Sequence, residues 1–207
     1  GGKKAKADSD ARLERIWKAW EKSWRPLAKR MRGMLRTHYL KQEAALIKAL
    51  RKELKGVESN PKYQIPNTKS EAVVKRILFQ VFGGKARQAF RGRVRGFLAD
   101  AAALGAGQAM SEGGLAGDDL AAAAEDVMGS ANISTALNTN SVRVSTLVDN
   151  ATRSRLKASL TEGMTDSESI QKLTTRVQEI MGNSRSQALN TARNAVGQSL
   201  SHARHEG

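Results

Sequence analysis

LERIWKAWEKSWRPLAKRMRGM, residues 13–34, sets Leu13, Trp17, Trp20, Trp24, Leu27, Met31 and Met34 at spacings of 4, 3, 4, 3, 4 and 3. That alternation lays one apolar stripe along one face of a helix, with the 3.5-residue period of a coiled coil. Trp17, Trp20, Trp24, Leu27 and Met31 read as packing or interface residues, because an aromatic stripe at helical spacing faces a core or a partner helix. Pro26 has no N–H and crowds the preceding turn, so it is expected to kink the helix or end a first segment near Arg25. The apolar rhythm resumes at Leu40, Leu46, Ile47, Leu50 and Leu54 and stops at Gly56, a residue suited to a helix C-terminus.

Working outward, residues 1–9 (GGKKAKADS) are small and charged and read as a disordered basic tail. The chain opens Gly1-Gly2 rather than with Met, as a processed product or a piece of a longer chain does. Residues 10–56 form the basic amphipathic helix or kinked helix pair, and 57–70, with Pro61 and Pro66, a linker. Residues 71–129 read as basic and then Ala/Gly-rich helices. Val73, Val74, Ile77, Leu78, Val81 and Phe82 lead to an interruption at Gly83-Gly84. Phe90, Val94, Phe97, Ala101 and Leu104 follow, again at 4, 3, 4, 3. A break is expected at Gly113-Gly114 and a restart at Asp118. Residues 130–142 are polar and mark a second boundary, and 130–207 form a C-terminal module of three shorter helices, about 143–161, 166–181 and 184–205. Thr165-x-x-Glu168 reads as the capping box of the middle one, and Gly182-Asn183 as its end.

Aromatics make up 4% of the chain and prolines number three, a composition for helices packed through Ala, Leu, Val and Met rather than for a β-sandwich. The expected fold class is all-α: elongated helical hairpins or a coiled-coil-like N-terminal arm, plus a small C-terminal helical bundle. Cysteine is absent, which removes disulfides and thiolate chemistry. No run of 18 apolar residues marks a membrane span.

Charge is segregated. Residues 1–99 hold 26 Lys and Arg against 8 Asp and Glu; 100–142 hold six acids and no base; 143–207 hold nine bases and six acids. A net +18 over the first 99 residues points to a polyanion, nucleic acid first. The candidate contacts with nucleic acid or an acidic partner are Lys18, Lys22, Arg25, Lys29, Arg30, Arg32 and Arg36, with Lys85, Arg87, Arg91, Arg93 and Arg95 as a second group. No groove-reading motif accompanies them, so contact is expected with the phosphate backbone and blind to sequence. His38, His202 and His205 read as surface residues; His202 and His205 stand three apart without a carboxylate or Cys cluster to complete a metal site. HExxH, GxSxG, phosphate-loop and paired-carboxylate patterns are missing, so no catalytic, cofactor-binding or metal residue is expected, and no enzyme.

The run VRVSTLVDNATRSRLKASLTEGMTDSESIQKLTTRVQEIMGNSRSQALNTARNAVGQSLSHA (142–203) resembles the tailed-phage head morphogenesis family, the Mu-type minor head proteins. Leu160, Glu162 and Gly163 match the family's turn, and Ile170, Leu173, Val177 and Ile180 its second helix. Arg185, Ala188, Leu189 and Thr191 match its last element. Residues 103–114 (ALGAGQAMSEGG) are similar to its upstream helix end, so the resemblance covers about half the chain. Ala192 stands where the family has Glu, and Val196-Gly197 where it has Tyr-Asn. The resemblance implies a minor structural component of the head, at the portal vertex, that assists assembly, DNA packaging or ejection without catalysis. Its partners would be portal or capsid protein and DNA of any sequence, with self-association through the Trp/Leu stripe. Its place would be the virion head, and the host cytoplasm during assembly. The alternatives are a helical DNA-binding protein with no tie to a virion, or a non-catalytic fragment of a larger enzyme or toxin.

Overall fold

In the computed structural model, which describes the backbone of residues 2–55 and 67–206, the chain is all-α. Among the described residues the helices are α1 (Gly2–Leu54), α2 (Asn67–Phe82), α3 (Gly84–Glu112), α4 (Gly117–Gly129), α5 (Ala131–Thr165) and α6 (Ile170–Glu206). None is long and apolar enough to cross a membrane. Most of the expected linker falls outside the described residues, as do the side chains of Leu13, Trp17 and Trp20. The stretch expected as a disordered tail enters α1 at Gly2; its Lys and Ala residues are strong helix formers.

Helix α1 runs unbroken through Pro26, so no segment ends at Arg25. Lys22, whose carbonyl loses its hydrogen bond to the missing Pro26 N–H, is exposed, as is Pro26 itself, so the loss falls on the solvent side of the helix. On the opposite side Leu27, Ala28 and Met31 are buried and hold the helix in place.

The heptad reading drifts from the structure. After Leu27 and Met31 one buried row of α1 runs through Leu35, His38, Gln42, Leu46 and Ala49, with Tyr39 and the expected Leu50 and Leu54 buried beside it, while Met34 is half-buried and Leu40 exposed. The same slip occurs in α3, where Leu98 and Ala102 are buried and Phe97 and Leu104 only partly so. Spacings of 4, 4, 3 average about 3.67 residues per turn, the habit of a nearly straight helix rather than of a 3.5-residue coiled coil.

Gly83 and Gly113-Gly114 do interrupt the chain. Helix α3 ends in a Schellman motif: Leu115 N–H donates to the Met110 carbonyl and Gly114 N–H to that of Ser111, with Gly114 at φ +93°. Helix α5 ends the same way, Glu168 N–H donating to Gly163 and Ser167 N–H to Met164, with Ser167 in the left-handed region at φ 56°. Thr165 is therefore the last residue of α5 and opens no capping box. Ser169 caps α6 instead, its Oγ accepting the Lys172 N–H at 3.3 Å.

Two further expectations are corrected. The polar stretch 130–142 does not break the helix: Ser130 Oγ accepts the Ile133 N–H at 3.3 Å and α5 runs through, with Ile133, Leu137 and Ser141 buried, although the chain passes from one compact unit to the other between Asn140 and Ser141. Gly182-Asn183 ends nothing either, because α6 continues over buried Met181, Ser184 and Ala188. In both places burial outweighs weak helix propensity, and the expected three C-terminal helices are two.

The chain forms two compact units, interleaved along the sequence. One comprises Gly33–Val94 and Ser141–Thr191. Its core holds Leu46, Leu50, Ile77, Leu78, Phe82, Phe90, Leu156 and Leu160. The other comprises Arg95–Asn140 with the chain's ends, through Arg32 and from Ala192. Its core is small-residue packing: Ala101, Ala102, Ala106, Ala192, Ala195 and Ala203 with Met31, Leu98, Ile133 and Leu200. Gly105 explains that choice. A Cβ there would sit 2.4 Å from the Leu200 carbonyl oxygen, so α3 and α6 meet backbone to backbone.

Candidate polyanion-binding surface

The predicted contact residues separate into paired and unpaired groups. In the Ala-rich unit, α1 carries Lys18, Lys22, Arg25, Lys29 and Arg32 at spacings of 4, 3, 4 and 3, a stripe beside the apolar one. Lys18 is tied to Glu14 at 2.7 Å and Arg25 to Glu21 at 2.5 Å, each one helical turn away. The Lys18 ammonium hydrogen-bonds Glu14, which raises the lysine's pKa and lowers the carboxyl's. Arg30 lies over the Phe97 ring at 5.6 Å with Asp100 at 3.9 Å. Arg32 is half-buried, its Nε covered, and Arg95 donates to Asn138 Oδ1 at 2.9 Å. Lys22 and Lys29 are exposed and have no carboxylate partner among the described residues.

In the other unit Arg36, Lys85, Arg91 and Arg93 are likewise exposed and unpaired among the described residues. Arg87 is different. Its guanidinium donates to Asn150 Oδ1 at 2.8 Å, and its Nε lies 3.9 Å from the buried carboxylate of Asp149. Six of the twelve predicted cations thus present whole charges to solvent, and the rest spend theirs partly within the fold. Exposed ammonium and guanidinium groups without intramolecular partners are what phosphate neutralisation requires.

Sequence reasoning missed two features. The first is a basic face on the second half of α1. Lys41, Lys48, Arg51, Lys52 and Lys55 are all exposed and, among the described residues, free of carboxylate partners. At 100° per residue they fall within an arc of about 100° and span about 21 Å of axis. The acids of the same stretch point elsewhere: Glu43 pairs with Arg185, and Glu53 with Arg76 at 3.0 Å. Their even scatter along the sequence hid this face, which a helical projection of 41–55 reveals.

The second is a buried polar cluster. His38, expected at the surface, is buried. Its ring stacks on Phe90 with centroids 3.6 Å apart and planes 1° from parallel. Its Nε2 lies 3.4 Å from Asp149 Oδ1, to which Gln42 Nε2 donates at 3.2 Å. Next to them Thr152 and Ser184 hydroxyls meet at 2.9 Å. Burial, with the Asp149 charge adding to it, pushes the Tyr39 hydroxyl up to about 12 against a hydrogen bond with Thr152, so Tyr39 stays neutral. A carboxylate in such a place needs partners, and the cluster supplies them from α1 (His38, Gln42) and α3 (Arg87).

The positions shared with the head-morphogenesis pattern have packing roles. A Cβ on Gly163 would lie 2.7 Å from both Glu168 Oε2 and Leu173 Cδ2. The fork there is bidentate: Arg176 Nε and Nη2 donate to the two Glu168 oxygens at 2.7 and 2.9 Å, and Nη1 to Glu162 at 2.8 Å. Hydrogen bonding to Arg176 holds the Glu168 carboxyl below its usual range, and Glu168 with Glu162 raises the guanidinium further. Arg185 ties α6 to Glu43 of α1, while Thr191 Oγ1 donates to the Gln187 carbonyl one turn back. Among the described residues no group of three or more His, Asp or Glu is placed to hold a metal ion. No protein-family model, curated protein or solved structure matches the chain.

Proposed function

We propose that this chain is a non-enzymatic structural component of a tailed-phage head. It associates with the portal vertex and assists assembly, DNA packaging or ejection by holding DNA through its phosphates. The observation that carries the reading is the set of six exposed cations, Lys22, Lys29, Arg36, Lys85, Arg91 and Arg93, that lack a carboxylate partner among the described residues. They stand on helices, which keep charges at fixed spacing, and no base-reading motif accompanies them. The similarity of 142–203 to minor head proteins supports the portal setting. Gly163 supports it further, since it is a shared position at which any larger side chain would strike the Arg176–Glu168 fork. In this reading the cations neutralise phosphate, and portal or capsid protein positions the chain beside the DNA.

Sedimentation with purified portal rings and with portal-bearing procapsids tests the assembly half. The chain is expected in the pellet with both and in the supernatant with portal-free shells. Absence from every pellet, together with retained DNA binding, would move the reading to a helical DNA-binding protein with no tie to a virion.

A further inference from the structure

The basic face of α1 ends at an open cleft of about 550 Å³ lined by Arg51, Lys55, Ile170, Gln171 and Thr174, a volume that suits a small ligand. Arg51 and Lys55 stand one turn apart at the end of α1, both exposed and unpaired among the described residues. The opposing wall is the first turn of α6, where Ile170 and Gln171 line the cleft at the start of the helix and their N–H groups precede any intrahelical carbonyl, while the Leu173 N–H already meets the Ser169 carbonyl at 3.0 Å. Ser169 Oγ serves only Lys172 there. The wall also holds an orphan: the Thr174 hydroxyl is shut from solvent and has no hydrogen-bond partner among the described residues. Its neighbour Thr175, by contrast, donates to the Gln171 carbonyl at 3.1 Å. Among the described residues no carboxylate lines the cleft.

We infer that this cleft is a phosphate seat. Arg51 and Lys55 form charge-assisted hydrogen bonds to its oxygens, and the Gln171 side-chain amide with the Ile170 and Gln171 backbone N–H groups completes the cradle. A χ1 rotation of Thr174 turns its hydroxyl toward the anion and ends its isolation. Lys41, Lys48 and Lys52, on the same face of α1, raise the local anion concentration without touching the bound group. The inference extends the polyanion reading to a discrete site but does not fall with it, since inorganic phosphate needs neither duplex DNA nor a portal.

The test is a titration of the ¹⁵N-labelled full chain, at constant ionic strength made up with chloride, using inorganic phosphate and, separately, a 5′-phosphorylated deoxydinucleotide. Saturable amide shifts are expected over residues 170–174. In R51Q/K55Q the affinity should fall by about tenfold; K48Q/K52Q removes the same charge from the same face and should change it less than about twofold. Saturation by both ligands assigns the seat to the phosphate group itself, and saturation by the dinucleotide alone assigns it to a nucleic-acid end. Either supports the site. No saturable shift with either ligand, or equal losses in the two variants, overturns it. All four substitutions lie at exposed positions, and matching thermal melts of the variants confirm that the comparison is between folded proteins.

Discussion

At the scale of single residues, the His38–Asp149 pair is the feature most dependent on its surroundings. His38→Ala removes the stack on Phe90 and one partner of the buried Asp149 carboxylate, which keeps Gln42 and Arg87, and should cost about 1–3 kcal/mol by urea denaturation. The H38A/D149A double variant should lose less than the sum of the single changes, and simple additivity would show that the two side chains are not coupled. Ser167 holds a conformation that favours glycine. Ser167→Gly should therefore raise stability by about 0.5–1 kcal/mol in the same assay, and a loss would contradict the Schellman assignment. The sequence carried a signal of the buried cluster that spacing alone could have found. Ser145, Asp149, Thr152, Leu156 and Leu160 recur at 4, 3, 4 and 4, so polar residues occupy one apolar stripe of α5. His38 gave no such sign, because an isolated histidine fits a helix surface equally well.

At the scale of elements, existence and type were legible, and register in large part. Apolar periodicity placed helices over 10–56, 71–82 and 85–112 because buried faces recur every turn. It found the inner face of α2 and most of those of α1 and α3, and slipped at Met34, Leu40, Phe97 and Leu104 because seven residues fit either a 3.5 or a 3.6 period, and only contact with neighbours decides between Met34 and Leu35. Breaks were read correctly where glycine takes a positive φ or ends a helix, at Gly83 and Gly114, and wrongly where glycine or asparagine lies within a helix buried on both sides of it. Helix contact also sets the strictest limit on substitution. Gly105→Ala puts a methyl group against the Leu200 backbone and should cost about 1–3 kcal/mol through forced separation of α3 and α6. A neutral outcome would mean that the two helices do not touch there. The loop between α5 and α6 adds a pH dependence. Arg176 depresses Glu168, so the stabilisation is present above the unfolded carboxylate value of about 4.3 and is lost as pH falls through the lower folded value. Arg176→Gln should lower the melting temperature at pH 7, and the gap to the wild type should close at about pH 2. A gap that persists there would place the effect of Arg176 in packing rather than charge.

At the scale of the whole molecule, the +15 charge is the property on which the proposed function rests, and it was legible from composition alone. What composition hides is compensation: Lys18, Arg25, Arg30 and Arg87 look equal to Lys22 and Arg91 in sequence, yet the fold supplies the first four with acidic neighbours. The central claim is that the uncompensated cations bind DNA phosphates without regard to sequence. Its most direct measurement is fluorescence anisotropy with two unrelated duplexes across a series of salt concentrations. If six phosphates are engaged, log affinity should fall against log salt with a slope of about −5, the same for both duplexes. Replacing Lys22, Lys29, Arg36, Lys85, Arg91 and Arg93 by glutamine should flatten that slope. Affinity indifferent to salt, a preference for one duplex, or an unchanged slope in the six-fold variant would contradict the account.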